Sequence, residues 1–93
     1  MKYTTIPKHP IKVRRTGYVY FPIEYIRKYD LMSKEFEWAE NAQERTLVLI
    51  PTKGGRKMSN GRNIMLPSRV AQKYVGSYHL EQDGEMFILR PTI

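Results

Sequence analysis

The chain has 93 residues, 41% of them hydrophobic, with seven tyrosines and no cysteine. That is enough apolar surface for one packed domain, and it excludes a disulfide framework and a thiolate metal site. Sixteen Lys and Arg against nine Asp and Glu give a net charge of +7, no apolar run reaches membrane-spanning length, and the opening MKYTTIPKHP lacks a secretory apolar stretch. A soluble, cytoplasmic protein without membrane contact is expected.

Residues 1–10 read as an N-terminal arm. Ile11 and Val13 then alternate with Lys12 and Arg14, the period of a half-buried strand, and Thr16-Gly17 supplies a turn. Val19 and Phe21 alternate with Tyr18 and Tyr20 in a second strand, which forms a hairpin with the first. Pro22 stops that strand and suits the first turn of a helix. Ile23–Tyr29 reads as that helix, with Tyr25, Ile26 and Tyr29 on one face. Phe36-Glu37-Trp38 predicts a third strand and 46–50 a fourth, ending at Pro51.

The second part repeats the order. A short strand is expected at 56–59, followed by Asn60-Gly61, a tight-hairpin signal in which both residues tolerate positive φ. Ile64 and Leu66 lead to Pro67, and 68–74 reads as a helix with Val70, Ala71 and Tyr74 in the places of Tyr25, Ile26 and Tyr29. Strands follow at Tyr78-His79-Leu80 and 86–89, around an Asp83-Gly84 turn. The sequence therefore divides into an arm (1–10), a first half (11–52), a basic glycine linker (53–57) and a second half (58–93). Neither half closes a core alone, so two interleaved β-β-α-β-β halves forming one compact domain are expected. The fold class is mainly β with short helices.

The charge is segregated. Residues 1–23 hold five basic side chains and no acid, and 45–80 hold seven, again with none, while five acids gather in 30–44. Such a surface favours a polyanion. Tyr25, Tyr29 and Tyr74 fit the core, and Trp38 covers it from a strand. Tyr18 and Tyr20 are expected to be partly exposed beside Arg14 and Arg15, in nucleic-acid contact or in cross-strand packing. His9 and His79 are isolated, Lys53-Gly54-Gly55-Arg56-Lys57 lacks phosphate-loop spacing, and no acid–base pair sits in an apolar setting. No catalytic constellation, metal site or cofactor is expected.

The phrase G-x-V-x-φ-P-I-E-x-x-R, carried by Gly17, Val19, Phe21, Pro22, Ile23, Glu24 and Arg27, resembles the swapped-hairpin DNA-binding domain of the AbrB, MazE and SpoVT family. Two copies in one chain are similar to the MraZ arrangement. The resemblance implies a pseudo-twofold swapped-hairpin barrel that presents basic hairpins and helix starts to duplex DNA. The family's arginine after the hairpin glycine stands as Tyr18 in the first copy. In the second, Arg62 follows Gly61 and one extra residue is expected before the proline. The basic helix position falls on Arg27 and on Gln72, with Lys28 and Lys73 beside them.

The DNA-contacting set is therefore Lys12, Arg14, Arg15, Arg27, Lys28, Arg56, Lys57, Arg62, Arg69 and Lys73. The expected function is transcription regulation in the cytoplasm, at the nucleoid, by a single-chain pseudo-dimer; further homodimerisation is left open. The alternative is a protein-interaction module, an antitoxin or a small inhibitor of a cellular enzyme. MazE-like antitoxins carry an extended acidic tail, and the few residues after the last expected strand do not supply one.

Overall fold

Side-chain alternation along short strands decides what each contributes to the core. In the computed structural model, which describes residues 9–92, β1 (Ile11–Val13) buries Ile11 and Val13 and exposes Lys12. In β2 (Tyr18–Tyr20), Val19 is buried between an exposed Tyr18 and a half-buried Tyr20. Of the expected arm, only His9 and Pro10 fall within the described residues. Pro22 precedes α1 (Ile23–Tyr29), where its missing N–H costs nothing, and its carbonyl accepts the Tyr25 N–H at 3.1 Å. Asp30, in the left-handed conformation (φ 52°), ends the helix with its N–H bonded to Ile26 O.

A 3-10 turn (Leu31–Ser33) then leads to β3 (Glu35–Asn41) and β4 (Thr46–Pro51). The remaining elements are β5 (Arg56–Lys57), β6 (Asn63–Met65), α2 (Ser68–Ala71), β7 (Gly76–Asp83) and β8 (Met86–Pro91). All eight strands belong to one antiparallel sheet in the order β5-β3-β4-β8-β7-β1-β2-β6. Its end strands, β5 and β6, are consecutive in the chain and joined by a turn, so the sheet bends into a nearly closed barrel-like form. At the seam the Trp38 indole N–H donates to Met65 O at 2.7 Å, reaching from β3 to β6 past the two-residue β5.

Four of the seven ladders join a strand before residue 52 to one after it. Ile11 pairs with Tyr78, Phe36 with Arg56, Val19 with Ile64 and Val48 with Ile88. One core cluster results, holding Phe21, Leu31, Phe36 and Leu47 together with Ile64, Leu66, Phe87 and Leu89. Tyr25, Ile26 and Tyr74 are buried in it as expected, and Tyr29 packs against it, edge-on to Phe87 with centroids 5.2 Å apart. The mainly β class with short helices is thus the observed one.

Two local expectations differ. The second helix, expected over 68–74, ends at Ala71. Beyond it the N–H groups of Lys73 and Tyr74 reach back three residues, to Val70 O and Ala71 O, both at 3.0 Å, a tighter winding than an α-helix. In the second hairpin the left-handed residue is Arg62 (φ 62°), and neither Asn60 nor Gly61 has positive φ. The Arg62 N–H bonds to Ser59 O at 2.9 Å and the Ser59 N–H to Asn63 O at 2.8 Å. This is the longer hairpin turn that ends in a left-handed residue, in place of the two-residue turn Asn-Gly favours.

The first hairpin has the same form. Gly17 N–H bonds to Arg14 O at 2.9 Å, Arg14 N–H to Tyr18 O at 3.0 Å, and Gly17 carries φ 104°. Arg62 therefore occupies the place of Gly17, Asn63 that of Tyr18, and each left-handed residue lies five positions before its proline. The extra residue expected in the second copy is not there.

Gly17 is irreplaceable for a second reason: a Cβ on it would lie 2.4 Å from the Leu66 carbonyl oxygen. Gly17→Ala is expected to destabilise the protein by about 2–4 kcal/mol, read from urea denaturation, through left-handed strain plus a backbone clash.

Candidate nucleic-acid interface

The outer face of β1, β2 and β6 is built in cross-strand rows. Lys12 lies opposite Tyr20, which lies opposite Asn63; beside that row Tyr18 lies opposite Met65, and Arg14 donates its backbone N–H to Tyr18 O. Because Val13, Val19 and Ile64 turn inward, Lys12, Arg14 and Tyr18 are directed to solvent. Tyr18 is 49% exposed and Met65 40%. Period-two alternation thus sets cations and aromatic rings side by side on one surface.

The hairpin turns meet the helix starts crosswise. Gly17 O accepts the Leu66 N–H at 2.8 Å, holding the Arg14–Arg15 turn against the segment that enters α2. Arg62 O accepts the Phe21 N–H at 2.9 Å, holding the second turn against the entry to α1.

Two open clefts flank β1 and share Lys12 and Arg14. The larger, of about 430 Å3, is also lined by His9, Tyr20, Glu24 and Arg62. The other, of about 330 Å3, adds Arg15, Val75 and Ser77. In the larger cleft Arg62 Nη2 donates to the Tyr20 hydroxyl oxygen at 2.7 Å, and its guanidinium carbon lies 5.4 Å from the Tyr20 ring centroid.

Lys12, Arg14, Arg15 and Arg62 are thus brought together. The other six named cations are exposed but dispersed. Arg27 and Lys28 were expected near a first helical turn; they lie in the last turn of α1, where a positive charge meets the carbonyl end of the helix, and the Lys28 amine is 5.4 Å from the Tyr29 ring. Lys57 is opposite Glu35 and Arg56 opposite Phe36 on β5. Arg69 is in α2, and Lys73 follows in the turn beyond it.

Four of the acids have other commitments. Glu40 accepts the Tyr74 hydroxyl at 2.8 Å, and Glu35 accepts the Gly54 N–H at 3.3 Å. Arg90 bonds Glu81 and lies 3.6 Å from Glu44, while His79 is 3.4 Å from Glu81. Among the described residues none of these ion pairs uses any of the ten named cations. The hydrogen bond from Arg90 holds the Glu81 carboxyl below the usual carboxylate range. Burial, then the Glu40 carboxylate, pushes the Tyr74 hydroxyl up.

Tyr20 as the partner of Arg62, and His9 as part of the cleft, escape the sequence reading. Tyr20 carries a signal, its outward place in an alternating strand, but its partner is 42 residues away. Among the described residues no group of three or more His, Cys, Asp or Glu side chains converges. Among the described residues no helix is long and apolar enough to cross a membrane.

The fold and this surface define a small, nearly closed antiparallel β protein with one basic, aromatic sheet face. No protein-family model, curated protein or solved structure matches the chain.

Proposed function

We propose that the protein is a DNA-binding transcription regulator of the AbrB-like kind, acting in the cytoplasm at the nucleoid. In this reading it lays the β1–β2 hairpin, the Arg62 turn and the helix starts on duplex DNA. One observation carries the reading. Lys12, Arg14, Arg15 and Arg62 converge on an exposed sheet face, whereas the described ion pairs gather Glu44, Glu81 and Arg90 elsewhere. Long cations on hairpins engage phosphate first and so position a protein on the duplex. Arg27, Lys28, Arg56, Lys57, Arg69 and Lys73 extend the field around that face.

The pseudo-twofold, swapped-hairpin architecture belongs to the same proposal. Exchanging β1 with β5, β2 with β6, β3 with β7 and β4 with β8 swaps β1–β7 with β3–β5 and β3–β4 with β7–β8 and returns β2–β6 and β4–β8 to themselves; β1–β2 is the exception, its counterpart strands being joined through their turn. The turn bonds recur 45 residues apart, at Gly17–Arg14 and Arg62–Ser59, as do the crossed bonds of Phe21 and Leu66. The first half differs by its 3-10 turn and by a longer β3–β4 connection. Both halves feed one core, which supports a single-chain pseudo-dimer with no second chain needed for folding. Its unfolding midpoint is then independent of protein concentration; a midpoint that climbs steeply with concentration contradicts it.

Electrophoretic mobility shifts test the binding surface. Arg14→Ala with Arg15→Ala is expected to weaken duplex binding by about 1–3 kcal/mol if a base is contacted, and to flatten the salt dependence if only phosphates are. Glu37→Gln does neither. Equal binding by the double variant and the parent transfers the protein to the interaction-module class.

A further inference from the structure

We infer that the cleft between β1 and the second hairpin is a phosphate-binding site, one per molecule, with Arg62, Lys12, Arg14 and the Tyr20 hydroxyl as its ligands. It refines the DNA-binding reading, on which the source of its phosphate rests, but the cleft's chemistry stands by itself.

Three observations meet there. The Arg62 Nε is buried and has no hydrogen-bond partner among the described residues, while Nη2 bonds the Tyr20 oxygen at 2.7 Å. A guanidinium is a planar fork made for two parallel bonds to one oxyanion, and a buried N–H left unpaired is costly. Turning about its last side-chain bonds, Arg62 gains that missing acceptor once an oxyanion enters the cleft.

Tyr20 makes the second case. Its oxygen already accepts from Arg62, so its own hydrogen remains to be donated, and an anionic oxygen is the best acceptor for it. Lys12 and Arg14 line the same space of about 430 Å3 and supply further positive charge.

The third is backbone strain. Arg62 holds a left-handed conformation (φ 62°) at the position where the first hairpin uses Gly17. An arginine kept where glycine is the easier choice points to a use for its side chain.

The corresponding positions of the other half are occupied by Lys57, Ser59, Met65 and Gly17, which retain one cation. The site is therefore single. Glu24 also lines the cleft, and the phosphodiester of a nucleic-acid backbone is the phosphate that the DNA-binding reading supplies to it.

Side-chain 15N NMR tests this on the whole protein, with the Arg62 Nε–Hε signal assigned from its absence in Arg62→Lys. Titrations use inorganic phosphate, a short duplex DNA and, as the ionic-strength control, sodium chloride. The Arg62 signal is expected to shift saturably with phosphate and with duplex, and not with chloride. Arg62→Gly relieves the backbone, so its melting temperature is unchanged or raised while binding falls about tenfold, and Tyr20→Phe weakens binding by about two- to tenfold.

A chloride-like response to phosphate, together with parent-like duplex binding by Arg62→Gly, overturns the cleft and leaves the DNA reading intact. Saturable phosphate binding without duplex binding keeps the cleft, assigns it to a free phosphate compound, and overturns the DNA reading.

Discussion

Phe36→Ala is expected to lower the unfolding free energy by about 3–5 kcal/mol, the range for deleting a buried phenyl ring. Phe36 has no solvent exposure and meets Phe87 edge-on, with centroids 6.0 Å apart and planes at 82°. Its strand β3 pairs with β5, so the ring lies where the two parts of the chain are sewn together. The cavity left behind removes contacts from both parts at once. A domain of this size has about 5–15 kcal/mol in all, so the variant keeps a small fraction of its stability at 37 °C. The loss is expected in a single cooperative transition, because four ladders and one core cluster tie the parts together. Two separate transitions, with only one moved by the substitution, contradict a shared core.

The sequence made the local elements readable where a residue type has one physical use. Pro22 with Tyr25, Ile26 and Tyr29 at helical spacing marks α1 to the residue. Alternation around Val19 marks β2 and the outward placement of Tyr18 and Tyr20. Asn60-Gly61 misled because that dipeptide favours a two-residue turn, and the tertiary bond that the Phe21 N–H donates to Arg62 O accompanies a different one. β7 runs over Gly76–Asp83, well beyond the expected Tyr78-His79-Leu80, because a strand held by β1 on one side and β8 on the other extends past its apolar stretch. Pairing of Ile11 with Tyr78 joins distant segments, and single-sequence periodicity carries no partner information.

The candidate site divides in the same way. The positive charge of Arg14 and Arg15 is plain in the sequence, but the convergence of Lys12, Tyr20 and Arg62 depends on sheet register. Arg27 and Lys28 show the limit of spacing alone: their place in the last turn of α1 gives them a use in helix stability.

The largest functional effect is expected from removing the converged cations together. Lys12→Ala, Arg14→Ala, Arg15→Ala and Arg62→Gly in one chain are expected to weaken duplex binding on the order of 10²–10⁴-fold near 0.1 M salt. Each phosphate neutralised releases condensed counterions, and four such contacts multiply. The first three side chains are exposed and the fourth change relieves a left-handed arginine, so the fold is expected to survive, with an unfolding midpoint close to the parent's. Arg69→Ala with Lys73→Ala, two exposed cations outside both clefts, is expected to weaken binding by about tenfold or less. Under a dispersed surface field without a focal site each cation contributes alike, and the pair then costs half of the four-site loss on a logarithmic scale.

A basic hairpin surface laid on DNA is tested most directly by the salt dependence of duplex binding by the parent protein, read by fluorescence anisotropy between about 50 and 300 mM salt. About five phosphate contacts predict that log K falls with log salt at a slope of about −4 to −5, and that the four-site variant loses about 3 to 4 of that slope. No binding at the lowest salt, or a slope near zero, contradicts a basic hairpin surface laid on DNA.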